Sequence, residues 1–198
     1  MSELVSAASL RRNTHEKNIV FCFFAVAILS SLFADHDIIL APSVGYTYTN
    51  AFTVKNPINP SSENIDYFKA HNGYLEFTVG VILDNGFTFI EDAGFAAGPA
   101  YVTDSQMRVP SFFFISRSLL GYTFKPTQNL YINLLTGLGL TWGYPQVLQV
   151  GMPVNIGLFC FFSKKSGLNI TATDMVGIGF PSFLTNAFTV KIGPIFRL

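Results

Sequence analysis

From Asp37 onward the chain alternates. In IILAPSVGYTYT the even positions Ile38, Leu40, Pro42, Val44, Tyr46 and Tyr48 are apolar or aromatic, while Ala41, Ser43, Gly45, Thr47 and Thr49 are small or hydroxylated. A period of two places successive side chains on opposite faces of an extended strand. The contrast returns in YINLLTGLGLTW and MPVNIGLFCFF. Leu130, Ile132, Leu134, Leu138, Leu140 and Trp142 share one face, as do Met152, Val154, Ile156, Leu158, Cys160 and Phe162.

The pattern predicts eight strands at about 38–49, 73–83, 87–97, 110–124, 130–142, 149–162, 167–176 and 184–198, with no helical periodicity in residues 35–198. Most reach the ~9–11 residues that a tilted strand needs to cross a bilayer. DNG (Asp84–Gly86), KPTQN (Lys125–Asn129) and SKKS (Ser163–Ser166) are tight connections. Asn50–Asn72 and the regions around 98–109, 143–148 and 174–183 are longer ones. Tight turns at one end and longer loops at the other are the arrangement of an all-β, antiparallel up-and-down barrel of the outer-membrane type.

Composition separates lipid from water as the surroundings. Hydrophobic residues make up 49% and charged residues 12%, with 21 Phe, against about 25% charged in an ordinary soluble domain. A lipocalin-like barrel or a sandwich would need Lys, Glu and Asp on its wetted face. Here the less apolar face is Gly, Ser, Thr and Asn, which suits a crowded barrel interior. The formal charge is zero, without basic runs, so nucleic acid is excluded as a partner.

Charges inside the strands assign the faces. A lipid-facing Arg117 at mid-depth would cost roughly 2–4 kcal/mol; turned inward, it leaves Phe112, Phe114, Leu120, Tyr122 and Phe124 outside. Glu76, Lys191 and Arg197 point inward by the same alternation, and Glu76 is expected to pair with Arg117 or Lys191. Tyr131, Leu135, Phe159, Phe161 and Ile195 join them in the lumen, either as filling or as the lining of a narrow path. Adjacent Glu91 and Asp92 fit worst: strict alternation sends one of them to lipid, so a bulge or an early end of lipid contact is expected there.

The start of the chain reads as a targeting segment. Arg11, Arg12 and Lys17 precede the apolar run Ile19–Leu29, and SSLFA leads to a polar DHD. This is the order of a signal peptide, expected at 1–34 with cleavage after Ala34, leaving a barrel of 35–198. Residues 1–10 add nothing that a signal needs and suggest a start assigned too early. Cys22 falls within this segment, which leaves Cys160 without an intrachain disulfide partner. Asp66 and His71 with Ser61 and Ser62 nearby superficially supply the parts of a hydrolytic site, but nothing fixes their geometry, and no enzyme is expected. No metal-ligand spacing or cofactor motif is present, and the cofactor expectation is none.

LLGYTFKPTQNLYINLLTGLGL (Leu119–Leu140), NIGLFCFFSKKSGLNITATD (Asn155–Asp174) and NAFTVKIGPIFRL (Asn186–Leu198) carry a resemblance. On these segments the chain resembles small OmpW-like outer-membrane barrels, in particular a treponemal (spirochaetal) OmpW-like family of unknown function. Lys191, Gly193, Phe196 and Leu198 match the terminal signal of such barrels, with Leu198 departing from the usual Phe. The resemblance implies recognition by the barrel assembly machinery and residence in outer-membrane lipid. It also implies passive transport of small hydrophobic or amphipathic molecules through a narrow lumen, with release through the wall. The alternative is a surface barrel that binds host molecules through its loops, Asn50–Asn72 above all. Because an open sheet edge is not tolerated in lipid, Lys191–Leu198 is expected to close the barrel against Ile38–Thr49.

Overall fold

A computed structural model describes residues 36–53, 67–102, 107–144, 148–180 and 183–198. They form eight strands: β1 (His36–Thr53), β2 (Tyr67–Leu83), β3 (Phe87–Val102), β4 (Met107–Thr127), β5 (Leu130–Tyr144), β6 (Leu148–Phe161), β7 (Ser166–Phe180) and β8 (Phe183–Arg197). Each strand pairs with its sequence neighbours, and β1 pairs antiparallel with β8, closing a barrel. The predicted signal peptide lies outside the described residues.

The strands run past their predicted ends, mostly on the loop side. Residues 98–102, 107–109 and 174–180, expected in loops, are strand, as are 50–53 and 67–72 of the expected Asn50–Asn72 loop. In a barrel, each added residue gains ladder hydrogen bonds from a neighbouring strand, and that support is invisible to local propensity.

At the turn end Gly86 closes the β2–β3 hairpin with φ +86° and donates its N–H to the Leu83 carbonyl at 2.9 Å. This left-handed conformation costs an L-residue roughly 1–2 kcal/mol. Inside, two apolar clusters stack along the axis. Toward the turns lie Ile39, Ile82, Ile90, Leu119, Leu135 and Ile195 with three aromatics; toward the loops lie Phe68, Tyr74, Phe113 and Ile115 among alanines. The outer face carries a broad apolar band in which Phe77, Phe95, Phe114, Leu138 and Ile156 are all at least 45% exposed. An aqueous barrel does not present such a surface, and lipid requires it.

The Glu91–Asp92 step corrects the expectation of a bulge. The β2–β3 and β3–β4 registers run through it unbroken, with Glu91 opposite Val79 and Ser118, and Asp92 opposite Thr78 and Arg117. Asp92 is buried inside and Glu91 is exposed outside. The unbroken ladder thus sets Asp92 among interior ion partners and leaves Glu91 on the lipid face.

Candidate functional site: an ion-filled lumen and a seam in the wall

Halfway along the axis four charged side chains meet: Glu76 from β2, Asp92 from β3, Arg117 from β4 and Lys191 from β8, each with its side chain at most 3% exposed. Glu76 is bonded by both Arg117 Nη2 and Lys191 Nζ. Lys191 Nζ also lies 3.2 Å from Asp92 Oδ2, and Arg117 Nε is 3.9 Å from the same oxygen. The expected alternative partners of Glu76 are thus both present. Asp92 is the member that sequence reasoning missed, and alternation signalled it, since inward Asp92 needed only that Glu91 be accepted outside.

Neutral groups complete the cluster. Thr78 donates to Asp92 Oδ1 at 2.6 Å. Tyr74 accepts from Arg117 Nη2 at 2.6 Å and donates to Glu76. Small residues make the convergence possible. Gly45 stands opposite Lys191 in the register, and a Cβ there would collide with Lys191. With no side chain at that position, the lysine reaches past β1 to Glu76. Gly94 likewise leaves room for the Tyr74 ring. Two cations face two anions, so the group is neutral as a whole; each charge is desolvated, and the cluster survives only as a matched set.

Arg197 is elsewhere. It lies at the turn-end mouth, Nη1 3.8 Å from Asp37 Oδ1, with its guanidinium carbon 4.0 Å from the Phe161 ring centre and 5.0 Å from that of Tyr131. Lys125 Nζ lies 3.2 Å from Asp37, and the Tyr131 hydroxyl donates to Asp37 at 3.0 Å. Tyr131, Leu135, Phe159, Phe161 and Ile195 are all buried in the turn-side apolar cluster. Between this cluster and the ion set remains a cavity of about 10 Å³, room for one water at most. Among the described residues, buried side chains fill the axis at these two levels.

The wall differs where the first and last strands meet. The register of β1 on β8 runs from Ile39 opposite Arg197 and Leu40 opposite Phe196, breaks, and resumes at Val44 opposite Ile192. Its unchanged spacing sets Pro42 against Pro194. Leu198 N–H donates to Ile38 C=O at 3.0 Å, which marks the even β1 residues as those that exchange backbone hydrogen bonds with β8. Pro42 and Pro194 therefore occupy a pair that should exchange two such bonds, and neither has an N–H. A groove of about 630 Å³ on the outer wall starts at this gap, with Pro42 and Pro194 at one end, and crosses Leu75 and Phe77 of β2 to Phe95 of β3 and Phe114 of β4. Gly193, Phe196 and Leu198 of the expected terminal signal border or follow the break in β8.

His71 is a strand residue rather than a loop residue. It faces outward with its Nδ1 bonded to the Tyr46 hydroxyl and its ring 5.0 Å from that of Tyr48, and no described carboxylate orients it. Asp66, Ser61 and Ser62 lie outside the described residues.

An apolar outer face, a polar, ion-paired interior and a closed sheet define a transmembrane β-barrel of the small eight-stranded class. The chain belongs to the family described as a domain of unknown function (DUF2715), which matches residues 31–198. In fold it is similar to the outer membrane protein OprG from Pseudomonas aeruginosa, at 11% identity over 84% of this chain and 97% of that chain with a TM-score of 0.60. It is likewise similar to outer membrane protein AlkL in lipid bilayers, at 12% identity over 84% and 92% with a TM-score of 0.51. Neisserial surface protein A matches at 8% identity over 80% and 97%, also with a TM-score of 0.51. No curated protein matches the chain.

Proposed function

We propose that this protein is an exported bacterial outer-membrane barrel, with residues 1–34 as its cleaved signal. In this reading it conducts small hydrophobic or amphipathic molecules passively through its wall at the β1–β8 seam. The observation that carries the reading is the outer groove of about 630 Å³ that begins at the Pro42–Pro194 gap, beside a lumen whose ion set and aromatic cluster leave a cavity of about 10 Å³ between them. Water-soluble solutes gain no path from such a barrel. An apolar solute already at home in lipid needs only a place where the ladder parts cheaply, and two absent backbone bonds lower that cost by roughly 1–3 kcal/mol. The spirochaetal OmpW-like resemblance and the assembly signal at Lys191, Gly193, Phe196 and Leu198 belong to the same reading. Proteoliposomes should take up hydrophobic probes faster than empty vesicles while showing no steady ionic conductance. Equal uptake across a panel of apolar solutes refutes transport, and a stable ionic conductance refutes the closed axis.

The filled lumen supports a second reading, a rigid frame that displays its loops to host molecules. Deletion of Pro57–Glu63 in the folded barrel would then abolish host-surface binding. Unchanged binding places that activity elsewhere.

A further inference from the structure

An acidic side chain stands on the outer face within the apolar band. Glu91 is exposed on β3, directly before Asp92, so it lies at the height of the internal ion cluster on the other side of the wall. It is five residues from Gly86 at the turn end. At ~3.3 Å per residue and a tilt of ~40° that is roughly 12 Å, about half of a band ~25 Å tall. Phe89 stands beside it on the same strand, Val79 across on β2, and Leu120 and Leu138 beyond Ser118. A carboxyl at this depth is costly and calls for a partner.

Its own wall supplies one hydrogen bond, from Ser118 Oγ to Oε2 at 2.9 Å. Next to that pair Ala93, which also lines the outer groove, stands opposite Ser116, so the carboxyl borders a patch of small outward residues at the groove's edge. We propose that this patch binds a second copy of the barrel through a two-fold contact. Each Glu91 carboxylate accepts a hydrogen bond from Ser116 of the second copy, while Ala93, Ser116 and Ser118 let the walls approach. A lipid tail offers no donor. The patch, by contrast, carries acceptor and donors together and is therefore self-complementary, the condition for a two-fold contact. Small residues at membrane interfaces serve the same close approach between helices. Asp174, outward on β7, makes the contrast: it takes a hydrogen bond from Asn186 at 2.7 Å, but Val154 and Phe188 stand opposite it, and its small outward neighbour Ala172 lies between Ile156 and Val190.

The test uses the full chain with Cys22 and Cys160 replaced by alanine, reconstituted at high lipid excess and treated with a short membrane-permeant thiol crosslinker. Ala93→Cys should yield a covalent dimer, whereas Val176→Cys, outward on the β7 wall, should remain monomeric. Adding Glu91→Leu or Ser116→Val to Ala93→Cys should lower the dimer fraction at least tenfold, and Glu91→Gln should largely preserve it. Heat-modifiable migration checks that every variant is folded. Absence of the Ala93→Cys dimer, equal crosslinking at Val176→Cys, or crosslinking indifferent to both Glu91→Leu and Ser116→Val overturns the proposal.

Discussion

Replacing Lys191 with Met probes whether the lumen is held by a matched set of charges or merely packed. The ammonium touches Glu76 and Asp92, the latter at 3.2 Å, and donates to Thr78 at 3.3 Å. Methionine keeps most of the stem and removes the charge, leaving two buried carboxylates to Arg117 alone. Breaking one side of a buried ion pair costs about 3–5 kcal/mol, whereas exchanging both partners for apolar groups is often neutral. The double variant Lys191→Met with Glu76→Leu leaves Arg117 facing Asp92, balanced again, and should recover at least ~2 kcal/mol of the single loss. Urea unfolding in phospholipid vesicles reads this through Trp142, the single tryptophan, which is 60% exposed on the outer face and so reports loss of lipid contact. With a slope of roughly 2 kcal/mol per molar urea, the Lys191→Met midpoint should fall by about 2 M. A shift below about 0.5 M, or a double variant as unstable as the sum of the two singles, would refute a coupled cluster.

Other outcomes follow from the same geometry. Pro42→Thr with Pro194→Thr returns two N–H donors to the seam and should stabilise the barrel by roughly 1–3 kcal/mol while slowing hydrophobic-probe uptake in proteoliposomes; unchanged uptake would remove the seam from the transport path. Leu138→Arg places a cation on the lipid face, where the native leucine is 61% exposed, and should cost about 2–4 kcal/mol in vesicle unfolding; a neutral result would contradict the face assignment. Gly86→Ala introduces a Cβ at positive φ against the Tyr122 ring and the Thr123 carbonyl. It should destabilise the barrel by at least about 1 kcal/mol, and an unchanged urea midpoint would mean that the turn relaxes freely.

Much of the fold is legible in residue order because a barrel strand writes its environment into every second position. Ile38–Thr49 and Leu130–Trp142 show both faces at once, and the shortage of charge identifies the outer medium as lipid. Inward placement of Glu76, Arg117 and Lys191 follows from the same alternation. Strand ends were harder. Residues 98–102 and 174–180 carry glycine, proline or acidic residues that weaken local strand propensity, and neighbouring strands override it. His71, loop-like by local sequence, is a strand residue for the same reason.

What only the tertiary structure decides is everything that depends on register and closure. Alternation puts Asp92 on one face or the other, but its meeting with Lys191 requires β8 to lie beside β1, with Gly45 leaving the way open. Pro42 and Pro194 each read as an awkward strand residue; that they share one hydrogen-bonding pair is set by a contact between residues 152 positions apart. Whether inward aromatics fill a lumen or line it depends on barrel width and side-chain packing, which no linear pattern encodes. Periodicity is a property of each strand alone, and the sequence states it. Pairing partners and free space arise only when the first and last strands meet.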